Sequence, residues 1–128
     1  MRRARPERTD MPVALNKDTF ATTVKDSSVV LVDFWASWCG PCMRFAPIYE
    51  EAAGRHEGVT FAKVDTEAER DLAAALEITS IPTIMGFRDG VLVFRQAGLL
   101  SGTQLDQLVD QIKAIDPADL EKAANAPA

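Results

Sequence analysis

Cysteine is nearly missing from this sequence, with two among 128 residues. Two thiols cannot build the disulfide framework of a small secreted scaffold, and at a separation of three they would staple almost nothing. Histidine is scarcer still, His56 being the single one. A structural zinc site needs four ligands, so no metal is expected here. His56, near the end of a predicted helix, is expected to face solvent. No apolar run approaches the ~18 residues of a membrane-spanning helix. Positive charge is in deficit, with 14 Lys and Arg against 19 Asp and Glu and a net charge of −5. That balance argues against a nucleic-acid surface or an anionic membrane surface, both of which want a basic patch. The four arginines of the first ten residues, Arg2, Arg3, Arg5 and Arg8, lie in a segment with no apolar signal core. This segment is expected to be a disordered arm.

What remains is enough for one globular domain: 47% of the residues are hydrophobic. Both cysteines sit in one motif, Trp38-Cys39-Gly40-Pro41-Cys42, between an apolar run and a helical pattern. Thiols at i and i+3 at a helix start can close a small disulfide without moving the backbone far. Unpaired N–H groups and the helix dipole favour a thiolate there. This is equipment for thiol–disulfide exchange.

The pattern along the chain reads as alternating strands and helices. Val13-Ala14-Leu15 is a short first strand, and Asn16 caps a helix to about Val24. Val29 to Trp35 is nearly continuous Val, Leu, Phe and Trp, as in a strand covered on both faces. The next helix has Pro41 in its first turn and runs to Arg55, with Pro47 inside it as a kinking residue. Val59 to Val64 is a strand, and Thr66 to Glu69 has capping-box form before a helix to about Leu76. Thr83 to Phe87 and Val91 to Phe94 are strands joined by the hairpin dipeptide Asp89-Gly90. Ser101 to Gln104 is a second capping box, opening a helix with Leu105, Leu108, Val109 and Ile112 at helical spacing. Asp116-Pro117 ends it, and residues 117 to 124 can form one more short helix. The order implies an α/β fold: a mixed central β-sheet, parallel early and antiparallel late, flanked by helices on both faces.

Asp33 interrupts the most apolar strand. Burial there raises a carboxyl pKa, and a carboxylate poised near neutrality can accept a cysteine proton.

The segment Val32 to Cys42 closely resembles the active-site segment of the thioredoxin family. Phe45-Ala46-Pro47, Ala62-Lys63-Val64-Asp65, Ile81-Pro82-Thr83, Phe87-Arg88-Asp89-Gly90 and Ala97-Gly98 follow in that family's order and spacing. Six ordered matches are specific where a lone CxxC is not. The resemblance implies the thioredoxin fold over residues 11–115, with residues 1–10 as an arm and 116–128 as a C-terminal tail.

It further implies a protein-disulfide reductase recharged by a thioredoxin reductase. Cys39 would be the exposed nucleophile and Cys42 the deeper resolving thiol. Asp33 would take the Cys42 proton, with Lys63 beside it. Gly40 and Pro41 would tune the redox poise; the absence of histidine between the cysteines points to a reductant. Pro82 would be cis. Ile81 would pair with an extended substrate segment, and Trp38, Ala97 and Gly98 would complete an apolar rim, with Trp35 in the core. No bound cofactor is implied. Partners would be disulfide-containing proteins such as ribonucleotide reductase, peroxiredoxins and methionine sulfoxide reductases, met by a cytoplasmic monomer. Two positions depart from the family: Met43 replaces a frequent lysine, and Gly86 stands where a bulky apolar residue is usual. Glycine in a strand weakens it or permits a close approach. The competing readings are a dedicated oxidant or isomerase outside the cytosol, and a non-enzymatic binding subunit or chaperone whose activity would survive loss of both thiols.

Overall fold

The computed structural model describes residues 11–124. Among them five strands form one sheet in the order β1-β3-β2-β4-β5. They are β1 (Val13–Ala14), β2 (Val29–Trp35), β3 (Thr60–Asp65), β4 (Thr83–Arg88) and β5 (Val91–Ala97). β1 and β2 run parallel to β3, whereas β4 is antiparallel to both β2 and β5. The helices are α1 (Phe20–Asp26), α2 (Gly40–Arg55), α3 (Arg70–Ala75), α4 (Gly102–Lys113) and α5 (Pro117–Ala124).

The near-continuous apolar character of β2 has a direct cause. One face of the strand, with Leu31, packs with α2 and α4 through Phe45, Tyr49, Leu105, Val109 and Ile112. The other, with Val30, Val32 and Phe34, packs with Phe20 and Val24 of α1 and with Val64 and Phe87. Burying one such side chain is worth about 1.5–3 kcal/mol. A charged residue in this strand is therefore held against a steep cost.

Local chemistry fixes several boundaries. The β4–β5 turn has φ of 51° at Asp89 and 85° at Gly90, the two left-handed positions expected of Asp-Gly. At the start of α4, Gln104 N–H donates to Ser101 Oγ (3.1 Å) and Ser101 N–H to Gln104 Oε1 (2.8 Å), closing the capping box. Its C-terminal end is held by Arg88, whose Nη1 donates to the carbonyls of Ile112 and Lys113 in the last turn and of Ile115 just beyond it.

Three sequence expectations are corrected. Asn16 does not open α1: its Oδ1 accepts from the N–H groups of Asp18 and Thr19, heading a turn that delays the helix to Phe20. Thr66 does not cap α3. Asp65 Oδ1 accepts from the N–H groups of Glu67 and Ala68, Thr66 Oγ1 donates to the Trp35 carbonyl, and α3 begins at Arg70. In both places short polar side chains satisfy the backbone with a turn in place of a helix. His56 does not face solvent. Its ring stacks on Phe61 and its Nε2 lies 2.6 Å from Asp106 Oδ1, an oxygen that Arg55 also reaches at 2.8 Å. The cause is tertiary, because α4 packs against α2 and brings Asp106 to that helix end. The hydrogen bonds from His56 and Arg55 hold the Asp106 carboxyl below its ordinary pKa.

Gly86 is explained by a close approach. A Cβ there would lie 2.7 Å from Ile112 Cδ1 and 3.3 Å from Phe94 Cβ. The Ile112 tip is buried and cannot swing away freely. Gly86→Ala is expected to destabilise the fold by about 1–3 kcal/mol in urea titration, the range for overpacking. Ile112→Val frees the contested space, so the double variant should lose less than the two single losses together; strict additivity would refute the clash.

Candidate active site

The redox pair lies where β2 gives way to α2. β2 ends at Trp35, the chain turns through 36–39, and α2 starts at Gly40 with Cys39 as its N-cap. Cys39 and Cys42 form a disulfide with Cα atoms 5.2 Å apart. The Cys42 N–H, unpaired by helix geometry, points at Cys39 Sγ at 3.2 Å. On reduction, that N–H and the dipole of a 16-residue helix would stabilise a Cys39 thiolate. Pro41 occupies the first turn without leaving any helical hydrogen bond unmade.

Cys39 is less exposed than expected. In the disulfide form it is 4% accessible and Cys42 1%. The order of exposure stands, but Cys39 is covered by Ala36, Trp35 and Ile81. Its Sγ lies 3.8 Å from the Ile81 carbonyl oxygen. The Ile81–Pro82 peptide is cis, and the Pro82 carbonyl accepts from Gly98 N–H at 2.8 Å. Gly98 has φ of 100°, a backbone state that a side chain resists. Ala97, opposite Thr83 in the β4–β5 ladder, and Gly98 are both exposed beside the proline loop. Trp38 is 68% exposed, the most open large apolar side chain among the described residues. It borders a groove of about 330 Å³ with Thr66, Ile78, Thr79, Ser80 and Ile81.

Asp33 and Lys63 sit opposite each other in the parallel β2–β3 register. They open onto a cleft of about 150 Å³ behind the disulfide, shared with Trp35, Cys42, Met43 and Tyr49. Asp33 is 4% exposed, and its Oδ1 has no hydrogen-bond partner among the described residues. Burial pushes its carboxyl from 3.8 up to about 7, against the opposing pull of the Lys63 charge. Lys63 Nζ stands 5.5 Å from the Trp35 ring centroid, a cation–π distance. Trp35 is thus neither plain core nor contact surface. It is half-buried between the redox pair and the Lys63 ammonium, with Nε1 buried and without a hydrogen-bond partner among the described residues.

Tyr49 is the cleft residue that sequence reading passed over. Its hydroxyl donates to the Ala62 carbonyl at 2.8 Å, and burial and the Asp33 charge raise its pKa well above the ordinary value. Its position, seven residues after Cys42 on one helical face, was an available signal. Among the described residues no cluster of His, Cys, Asp and Glu could hold a metal ion, and no helix is long and apolar enough to cross a membrane.

A helix-capping dithiol facing a cis-proline loop, on a five-stranded mixed sheet, defines the class: a thiol–disulfide oxidoreductase of thioredoxin fold. Comparison with known proteins makes this particular. The thioredoxin family model matches residues 11–114. The chain is 47% identical over 111 residues to a putative thioredoxin 2 of Streptomyces coelicolor, covering 87% of this chain and 83% of that one. It is 41% identical over 101 residues to thioredoxin C-3 of Corynebacterium nephridii, covering 78% and 70%. Among solved structures it is similar to a single-site mutant of a thioredoxin from Halobacterium salinarum, with a TM-score of 0.78, 30% identity and coverage of 88% and 100%. A chloroplastic thioredoxin z gives a TM-score of 0.77 at 29% identity, covering 82% and 96%. The chain belongs to the thioredoxin family. Its function is protein-disulfide reduction by dithiol–disulfide exchange, with disulfide-containing proteins as targets and a reductase to recycle it.

Proposed function

We propose that Cys39 is the attacking thiol, Cys42 the resolving thiol and Asp33 the base of this reductase. The observation that carries the assignment is the Cys42 N–H directed at Cys39 Sγ across the first turn of α2. Reduced Cys39 attacks one sulfur of a target disulfide, and the other leaves as a thiolate. A mixed disulfide joins Cys39 to the target. Asp33 takes the Cys42 proton through the shared cleft, and Cys42 attacks Cys39 Sγ. The Cys39–Cys42 disulfide closes, the target leaves as a dithiol, and two electrons have passed to it. Chain connectivity gives the second attack a high effective concentration.

Gly40 and Pro41 hold the turn without adding charge, and Lys63 opposes the rise in the Asp33 pKa; together they set the poise. Trp38, Ile81, Pro82, Ala97 and Gly98 receive the target segment, the Ile81 backbone pairing with it as an added strand would. A thioredoxin reductase recharges the pair. Ribonucleotide reductase, peroxiredoxins and methionine sulfoxide reductases are the target types expected. A Gly-Pro pair without histidine suits a reducing compartment, so the cytoplasm is the proposed place of action. Trp38 and Met43 flank the redox pair, exposed to partners. A monomer is proposed, leaving them free.

Insulin reduction with a thioredoxin reductase and NADPH tests the function. Wild type should precipitate the insulin B chain; inertness with several reductases would refute the reading. Cys42→Ser should accumulate targets as mixed disulfides released by dithiothreitol, with Cys42→Ala as the hydroxyl control. If the double variant Cys39→Ser, Cys42→Ser traps equally, Cys39 is not the attacking sulfur.

A further inference from the structure

One cation outside the redox centre reaches the substrate loop from its far end. Arg95 lies on β5, two residues before the exposed Ala97. Its Nη1 donates to the Leu76 carbonyl at 2.8 Å and its Nη2 to the Glu77 carbonyl. These carbonyls lie just past α3: Leu76 is that helix's C-cap and Glu77 the residue after it. A planar guanidinium spans two neighbouring acceptors, which a single ammonium cannot do in the same way. The contact also sets positive charge at the negative end of a helix.

Glu77 has φ of 58°. A non-glycine residue in the left-handed region persists where its surroundings over-determine it. Immediately after it come Ile78, Thr79, Ser80 and Ile81, which form one wall of the groove beside Trp38. The segment then meets Cys39 through the Ile81 carbonyl and is tied to the end of β5 by the N–H of Gly98, the next residue, which donates to the Pro82 carbonyl. β5 and the residue that follows it therefore hold the loop at both ends, by a guanidinium at 76–77 and by a backbone hydrogen bond at 82.

We infer that Arg95 is a positioning residue for protein substrates: it fixes the entrance of the 77–82 loop, and so the groove that receives the chain around a target disulfide. This rests on the proposed substrate role of Ile81 and Pro82. A small disulfide reaches the sulfurs without filling the groove and gains little from the clamp. A protein segment must lie along it, and an unfixed wall has to be ordered on binding, which weakens affinity.

The test compares Arg95→Met, which keeps most of the apolar stem, and Arg95→Lys with wild type. Each is assayed on insulin and on 5,5′-dithiobis(2-nitrobenzoate), a small disulfide, with amide exchange followed over residues 77–81. Arg95→Met should raise the KM for insulin about three- to tenfold, with kcat and the small-disulfide rate changed less than twofold. Exchange should quicken at Glu77 and Ile78, whose N–H groups donate to the Ala74 and Ala73 carbonyls at 3.0 Å. Arg95→Lys should fall between the two, and thermal unfolding shows that both variants are folded. An unchanged insulin KM overturns the inference. Equal losses on both substrates also overturn it, because Arg95 would then act on the reacting sulfurs or the whole fold. Wild type inert on both substrates would instead refute the proposed function.

Discussion

Asp33→Asn should make the oxidised protein more stable at pH 8 and remove most of the pH dependence of its stability between 4 and 7. The sign follows from the shift. The folded pKa is raised to about 7 from 3.8. Between those values the native state keeps a proton that the unfolded state has lost, so stability falls as pH rises. Below 3.8 both states are protonated and the group costs nothing by charge. Above about 7 the full cost is present, about 4 kcal/mol by linkage. Burial at 4% exposure leaves little solvent to screen it. A buried amide still has desolvation to meet, so the net gain expected at pH 8 is about 2–4 kcal/mol. Urea titrations at pH 5 and pH 8 measure it. An Asn variant that keeps the wild-type slope would show that another group titrates.

The same substitution should slow catalysis. If Asp33 is the base for Cys42, its loss removes general-base assistance, worth typically 10²–10⁴-fold. A thiol ionises partly unaided near neutrality, so the expected slowing lies at the low end, about 10- to 100-fold at pH 7. Stopped-flow decay of the mixed disulfide reads this step directly. Stability gained and resolution lost in one variant would mean that the site holds a destabilising group for its chemistry.

Cys39→Ser is expected to reduce insulin reduction to the no-protein background. A serine hydroxyl does not ionise near neutrality, and no helix-terminus effect of the size seen for thiols brings it there. The neighbouring thiol should not substitute. Cys42 lies inside the first turn of α2 at 1% exposure and faces the Asp33 cleft, whereas Cys39 caps the helix and is the more accessible of the two sulfurs. Turnover by Cys39→Ser above a few percent of wild type would reverse the assigned roles.

Much of this protein was legible residue by residue. The limits of β2 matched its apolar run because both faces are covered, so no polar alternation blurs the signal. The Asp-Gly turn and the Ser101 capping box are local devices whose geometry depends on adjacent residues alone. Asp33 was conspicuous because a charge in such a strand has no cheap explanation. The starts of α1 and α3 were less legible, since Asn16 and Asp65 offer the backbone turns as well as caps. His56, Gly86 and Arg95 were illegible in their roles. Each is defined by a partner distant in sequence: Asp106, Ile112, and the carbonyls of Leu76 and Glu77.

The residue order alone settled the dithiol and its helix-capping position, because a CxxC at a strand-to-helix junction needs only local geometry. It also determined the two-faced central strand and the late hairpin, through hydrophobic period and turn chemistry. Packing between distant segments settles how covered Cys39 is, which groups share the cleft with Asp33, why Gly86 has no side chain, and what Arg95 holds. Those properties arise where separate elements meet. The strand order β1-β3-β2-β4-β5 that makes them meet is fixed by burial over the whole chain, not by any one segment of it.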